Sequence, residues 1–288
     1  MTTDSPFRYR NGSLFVEEVE LAAIAREHGT PAYVYSRAAI EAAFASFVRA
    51  SGDRDVLVCY ALKANSNLAI VELLARAGAG FDIVSAGELQ RVIAAGGDPS
   101  KVLFSGVGKS EAALRLALDA GVRCFNIESE SELLRLDRVA ASMKRRAPIS
   151  LRVNPDVDAG THPYISTGLR ENKFGIAHDD ALAVYRRAAA LPNLEIVGID
   201  CHIGSQITSV EPYLAAADKV LELVDALHAE VIERRRLDFG GGLGIRYRDE
   251  DPPAAQTLLD ALFRRLDRHP RGRRYGVFFE FGRSIVGN

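Results

Sequence analysis

Eight short apolar runs recur along the chain, each separated from the next by a longer segment with helical spacing. They are Val56–Leu62, Phe81–Ser85, Val102–Ser105, Cys124–Glu128, Ile149–Asn154, Ile196–His202, Leu237–Gly240 and Val277–Glu280. The runs are rich in Val, Ile and Phe and show little polar alternation, as strands of a parallel sheet do when both faces are covered. The intervening segments repeat apolar residues on one helical face, as in Leu68, Val71, Leu74 and Ala75, or in Leu114, Leu118 and Val122 after a helix start at Ser110. Strict alternation over eight strands predicts a (β/α)₈ TIM barrel, and the 288 residues suit one barrel of about 250. Periodicity does not show closure, so an open doubly wound sheet is the alternative. Ala32–Tyr35 reads as a further strand, and the helix that follows, through about Ala50, could complete the barrel's outer ring.

Composition removes several function classes. The net charge of −2 gives no electrostatic case for nucleic acid or a membrane surface. The basic runs at 234–236 and 264–274 read as solvated surface. No apolar run reaches the roughly 20 residues of a membrane span, and the first residues do not form a signal peptide, so a cytoplasmic location is expected. Cys59, Cys124 and Cys201 are odd in number, far apart and set in apolar runs, which reads as buried free thiols. The six histidines are scattered, and no metal site is expected.

Polar residues at the ends of these strands are the candidates for chemistry, because barrels place their active sites there. Lys63 closes the first run; a partly desolvated amine at that place would have a lowered pKa and could form a Schiff base. A lysine snorkelling out from a strand end fits Lys63 alone equally well. His202, in Asp200-Cys201-His202-Ile203-Gly204-Ser205, could stack on a flat ring or move a proton, and Ser205 could donate to a phosphate. Gly240-Gly241-Gly242-Leu243-Gly244 lets backbone amides approach a phosphate after the seventh strand. It is not the dinucleotide fingerprint, since Ile245 stands in the last glycine's place. Glu280 and Arg283 follow the eighth strand, where a carboxylate could protonate a pyridine nitrogen and a guanidinium could pair with a substrate carboxylate. Gly108-Lys109-Ser110 imitates a Walker loop, but Leu103 occupies the required first glycine, so it reads as a helix N-terminus with Glu111 in the first turn. Pro155 to about Ile176 shows no helix, and is a candidate active-site lid or a plain surface excursion.

Taken together and in order, Tyr60–Asn65, Gly80–Ser85, His202–Gln206, Gly240–Gly244 and Glu280–Arg283 resemble the alanine racemase-like family of pyridoxal phosphate enzymes. Phe104–Lys109, Asn154–Asp158, Thr161–Gly168 and Lys173–Ile176 are similar to the diaminopimelate decarboxylases in particular. The resemblance implies a pyridoxal 5'-phosphate-binding barrel over 31–288, with Lys63 forming the Schiff base and His202 stacking on the cofactor ring. Ser205, Gly241 and Gly242 would hold the phosphate, and Glu280 would pair with the pyridine nitrogen. Gly282 would line the same site, and Arg283 would contact the cofactor or a substrate carboxylate. Asp82 and Arg152 would lie near the cofactor. The implied reaction is decarboxylation of meso-2,6-diaminopimelate to L-lysine in lysine biosynthesis, by a homodimer. Another amino-acid decarboxylase, or a cofactor-binding barrel without catalysis, are the alternatives.

Two departures bear on that reading. The family usually has proline where Phe281 stands, which could shift Glu280 or Arg283. Relatives continue past the point matching Asn288 into a C-terminal β domain that supplies a cysteine-centred acid motif and a tyrosine, partly across the dimer interface. Residues 1–30 pack with that domain in relatives. The expectation is therefore a truncated or fragment form, with the β domain missing and the active site incomplete.

Overall fold

In the computed structural model, which describes residues 5–158, 174–232 and 235–287, the chain opens with an antiparallel sheet of β1 (Phe7–Arg10), β2 (Ser13–Val16) and β3 (Val19–Glu20), then α1 (Leu21–His28). The alternating part follows as α2 (Arg37–Ser51), β4 (Val56–Ala61), α3 (Leu68–Arg76), β5 (Gly80–Ile83), α4 (Ala86–Ala94), β6 (Val102–Phe104), α5 (Glu111–Ala120), β7 (Cys124–Ile127), α6 (Glu130–Ser142) and β8 (Ala147–Asn154). It continues as β9 (Ile176–Ala177), α7 (His178–Ala189), β10 (Leu194–Asp200), α8 (Glu211–Ala229), β11 (Arg236–Asp238), α9 (Ala255–Asp267), β12 (Gly276–Phe281) and α10 (Arg283–Val286).

The sheet is closed. Parallel pairing runs β4-β5-β6-β7-β8-β10-β11-β12, and β12 pairs back onto β4 from Val277↔Val56 to Phe281↔Tyr60. That excludes the open doubly wound alternative. The eight predicted runs all become barrel strands, with ends moved by a residue or two. As expected, α2 completes the ring by packing against both α9 and α3. The predicted strand Ala32–Tyr35 is not one: it pairs with nothing among the described residues, and Tyr33 is 92% exposed. β-forming residues without a neighbouring edge have no ladder to join. The candidate lid lies mostly at 159–173, outside the described residues.

Helix starts follow from the residues placed there. Ser36, Asn67, Ser85, Ser110 and Ser129 each accept a backbone N–H of the next turn, satisfying a donor that the helix leaves unpaired, for about 1 kcal/mol apiece. Glu17, in the turn after β2, accepts from Ser36 Oγ (2.7 Å) and the Ala38 amide (2.9 Å), tying the N-terminal sheet to α2.

Side-chain alternation divides the core in two. On β12, Phe279 and Phe281 point out toward the helices, whereas Phe278 and Glu280 point into the barrel. Phe281 stacks on Phe47 of α2, with ring centroids 4.0 Å apart. The residue standing at the family's proline thus fills the helix–sheet layer and leaves Glu280 aimed inward.

Within the barrel, Cys59, Leu103, Cys124 and Phe278 form a small apolar plug. Arg123 and Arg236 lie over the Phe278 ring, at 5.5 and 5.0 Å. All three cysteines are buried and free, and burial pushes their thiols up, that of Cys124 to about 12. Above the plug the lining turns polar, unlike the Val, Ile and Leu layers usual in such barrels. No helix among the described residues is long and apolar enough to cross a membrane.

Candidate active site at the carboxyl ends of the barrel strands

Lys63 sits in a helical turn, Leu62–Ala64, at the end of β4, with its Nζ 3.3 Å from Asp82 Oδ2 on β5. Its side chain is half exposed, while that of Asp82 is fully buried. The Asp82 charge outweighs desolvation and raises the amine above its ordinary pKa, with Glu280 adding and Arg152 subtracting. This corrects the sequence expectation of a lowered value. Desolvation does lower it, but spacing along the chain could not show that β5 sets a carboxylate beside the amine.

His202 follows β10. The Gly241 N–H donates to its Nδ1 at 3.2 Å, which leaves the ring proton on Nε2. Burial, with Lys63 and Arg152 nearby, holds the imidazole well below its usual pKa, so it is neutral.

The glycines let three backbones converge. A Cβ on Gly241 would lie 2.1 Å from the Glu280 carbonyl oxygen, and one on Gly242, at φ +99°, 2.3 Å from that of Gly204. Ser205 stands beside this turn and accepts from Arg283 Nη2 at 3.1 Å. Arg283 also donates to the Tyr247 hydroxyl, and its buried Nε finds no partner among the described residues. Gly282 packs on the Lys63 turn, since a Cβ there would meet that of Ala64 at 3.0 Å.

Glu280 is buried on the barrel axis and accepts from Asn126 Nδ2 (3.1 Å) and Ser105 Oγ (3.4 Å). Asp200 and Asp238 lie next to it, with one oxygen of each of the three carboxylates within 4.8 Å of the others. Sequence reading singled out neither aspartate, nor Asn126 or Ser105. The available signal was a polar residue at every second position of otherwise apolar strands, as in Asp200-Cys201-His202. Asp82 Oδ1, Asp200 Oδ1 and Asp238 Oδ2 have no hydrogen-bond partner among the described residues. Burial, Arg152 opposing it, pushes the Asp200 carboxyl up to about 7. Burial and the neighbouring carboxylates push Asp238 and Glu280 well above the usual range.

An acid whose pKa is higher folded than unfolded lends stability at low pH and loses it as pH rises through the folded value. For Asp200 that window runs from 3.8 to about 7. Asp200→Asn should therefore melt progressively higher relative to wild type across the window, by a few degrees in total. A melting difference that stays constant with pH would mean that Asp200 is already ionised in the fold.

All the residues singled out from sequence thus lie at one end of the barrel, on β5, β8 and β12 or in the turns after β4, β10, β11 and β12. Comparison with known proteins gives the family. Residues 37–287 match the family described as pyridoxal-dependent decarboxylase, pyridoxal binding domain. The diaminopimelate decarboxylase of Pseudomonas aeruginosa is 60% identical over 98% of this chain and 67% of its own length. That of Vibrio cholerae is 57% identical over the same shares. The chain belongs to the diaminopimelate decarboxylase family. Solved structures agree: the Helicobacter pylori enzyme complexed with L-lysine superposes with a TM-score of 0.88 at 41% identity, covering 92% of this chain and 66% of that one. The diaminopimelate decarboxylase from M. jannaschii, also in complex with L-lysine, gives 0.91 at 34% identity, covering 97% and 67%. The chain spans about two thirds of the length of the relatives it matches.

The residues present fit pyridoxal phosphate. A primary amine faces a buried carboxylate, a glycine turn beside Ser205 leaves no room for side chains, and a buried carboxyl sits on the barrel axis with unpartnered acid oxygens around it.

Proposed function

We propose that this chain forms the pyridoxal phosphate-binding barrel that decarboxylates meso-2,6-diaminopimelate to L-lysine and CO₂. The observation that carries the reading is the Lys63 amine held beside buried Asp82, in a cleft where burial pushes the Glu280 carboxyl well above the usual range. When bound, the cofactor supplies an electron sink for the pair left by departing CO₂.

The chain's own residues do the rest. Lys63 would hold the cofactor through its primary amine. Asp82 keeps that amine charged at rest, so a proton must leave Nζ before it can bond. Glu280 would face the ring nitrogen, with Asn126 and Ser105 fixing the carboxyl's direction. His202, neutral and tethered through Nδ1, offers a flat face to the ring without adding charge. The Gly242 amide and the Ser205 hydroxyl would hold the phosphate, Gly241 leaving room for its approach, and Arg283 would pair with the phosphate or with a substrate carboxylate.

The test is lysine release from meso-diaminopimelate by the purified chain loaded with pyridoxal phosphate. Lysine at a rate far above that of free cofactor supports the reading. A folded, cofactor-loaded protein that releases none would confine this chain to cofactor binding.

A further inference from the structure

Glu128, just past β7, has a side chain only 1% exposed, and it gathers donors from three elements. Its Oε1 accepts from the Gly106 amide (2.8 Å) and from Arg152 Nη1 (3.0 Å), and its Oε2 from the Gly175 amide (3.0 Å). A second buried pair braces the first. Lys109, from the Walker-like segment, is wholly buried and donates to Glu132 Oε1, the Gly106 carbonyl and the Asn126 carbonyl, each at 2.7 Å. Glu132 Oε2 in turn accepts the Glu128 N–H at 3.1 Å.

Four buried charges are a poor route to stability, because desolvation offsets their attraction. Their placement indicates another use. Arg152 stands between Glu128 and the cleft, its guanidinium also 5.2 Å from the Phe174 ring centroid. Gly175, at φ +78°, lies so close that a Cβ would sit 2.9 Å from the Arg152 carbonyl oxygen. Burial works against the Arg152 charge, and Glu128, Asp200 and Glu280 together outweigh it. That charge is felt at Lys63.

We propose that Glu128 is the positioning residue for Arg152: it holds the guanidinium at the wall of the cleft and offsets part of its charge toward the Lys63 amine. This rests on the reading that Lys63 carries the cofactor. Among the described residues, the ionisable groups facing the pair are Lys109 and Glu132, which pair with each other, Lys63 and Asp82, which do likewise, and Asp200 and Glu280 on the barrel axis.

The test follows the absorbance of the Lys63-bound cofactor against pH, in the full chain loaded with pyridoxal phosphate. Glu128→Gln leaves Arg152 uncompensated, so the bound chromophore should hold its proton about tenfold more weakly, one unit lower in apparent pKa. Arg152→Gln should shift it the other way, and the double variant should return near wild type. A merely structural role would not reverse sign between the two single variants. If Glu128→Gln does not fold, Arg152→Gln and the double variant carry the same test. An unchanged pKa in Glu128→Gln, or a shift that persists in the double variant, overturns the inference alone. Wild-type protein in which borohydride reduction fixes no cofactor on Lys63 overturns the inference together with the reading beneath it.

Discussion

Lys63→Ala should release no measurable lysine from diaminopimelate, a loss of more than about a thousandfold, and borohydride should fix no cofactor to the chain. The effect is large because no other described lysine can take over: Lys109, the other described lysine held at this end of the barrel, is fully buried with its ammonium saturated by three acceptors. Alanine also strips buried Asp82 of its cation, so part of any fall in melting temperature belongs to the ion pair. Lys63→Arg separates the two effects. A guanidinium keeps the charge beside Asp82 but offers no primary amine, so that variant should melt close to wild type and remain inactive. Cofactor trapped covalently on either variant, located by peptide mapping, would move the attachment point elsewhere.

Gly242→Ala should be among the most damaging single methyl groups in the site. The residue has φ +99°, and the new Cβ would meet the Gly204 carbonyl oxygen at 2.3 Å, a backbone atom that cannot swing aside. Relief requires the turns after β10 and β11 to separate, at a cost of about 1–3 kcal/mol in stability. The same movement pulls the Gly242 amide away from the phosphate, and losing one or two charged hydrogen bonds weakens cofactor binding ~10- to 100-fold. Gly108→Ala is the matched control. A Cβ there meets nothing within 4 Å, so both stability and cofactor affinity should stay near wild type. Equal losses in the two variants, by denaturant melts and cofactor titration, would remove the steric argument.

The barrel was legible in the sequence because its strands are covered on the outer face by helices, which leaves continuous apolar runs. The N-terminal sheet was not, since β1 to β3 carry Arg8, Arg10 and Glu20 on short half-exposed strands with no such run. Site residues in turns, such as Lys63, His202 and the glycines, were visible as polar or flexible positions ending a strand. Those inside strands, Asp200 and Asp238, hid in segments whose average character is apolar. Lys63 shows the limit of spacing most plainly: its charge state depends on Asp82, a neighbour across the sheet rather than along the chain.

The seam between β12 and β4 also dictates when the site can exist. Lys63 ends the first barrel strand to leave the ribosome, and Glu280 lies on the last. Until β12 inserts, the nascent sheet has two raw edges, on β4 and β11, and the amine faces no ring-nitrogen partner. Long-range pairing of this kind forms slowly and leaves edges open to wrong partners meanwhile. A ligand that bridges β4, β11 and β12 binds only the closed form, so it draws the last strand home by mass action. For this chain the cofactor would be part of how the cylinder is finished as well as of what it does.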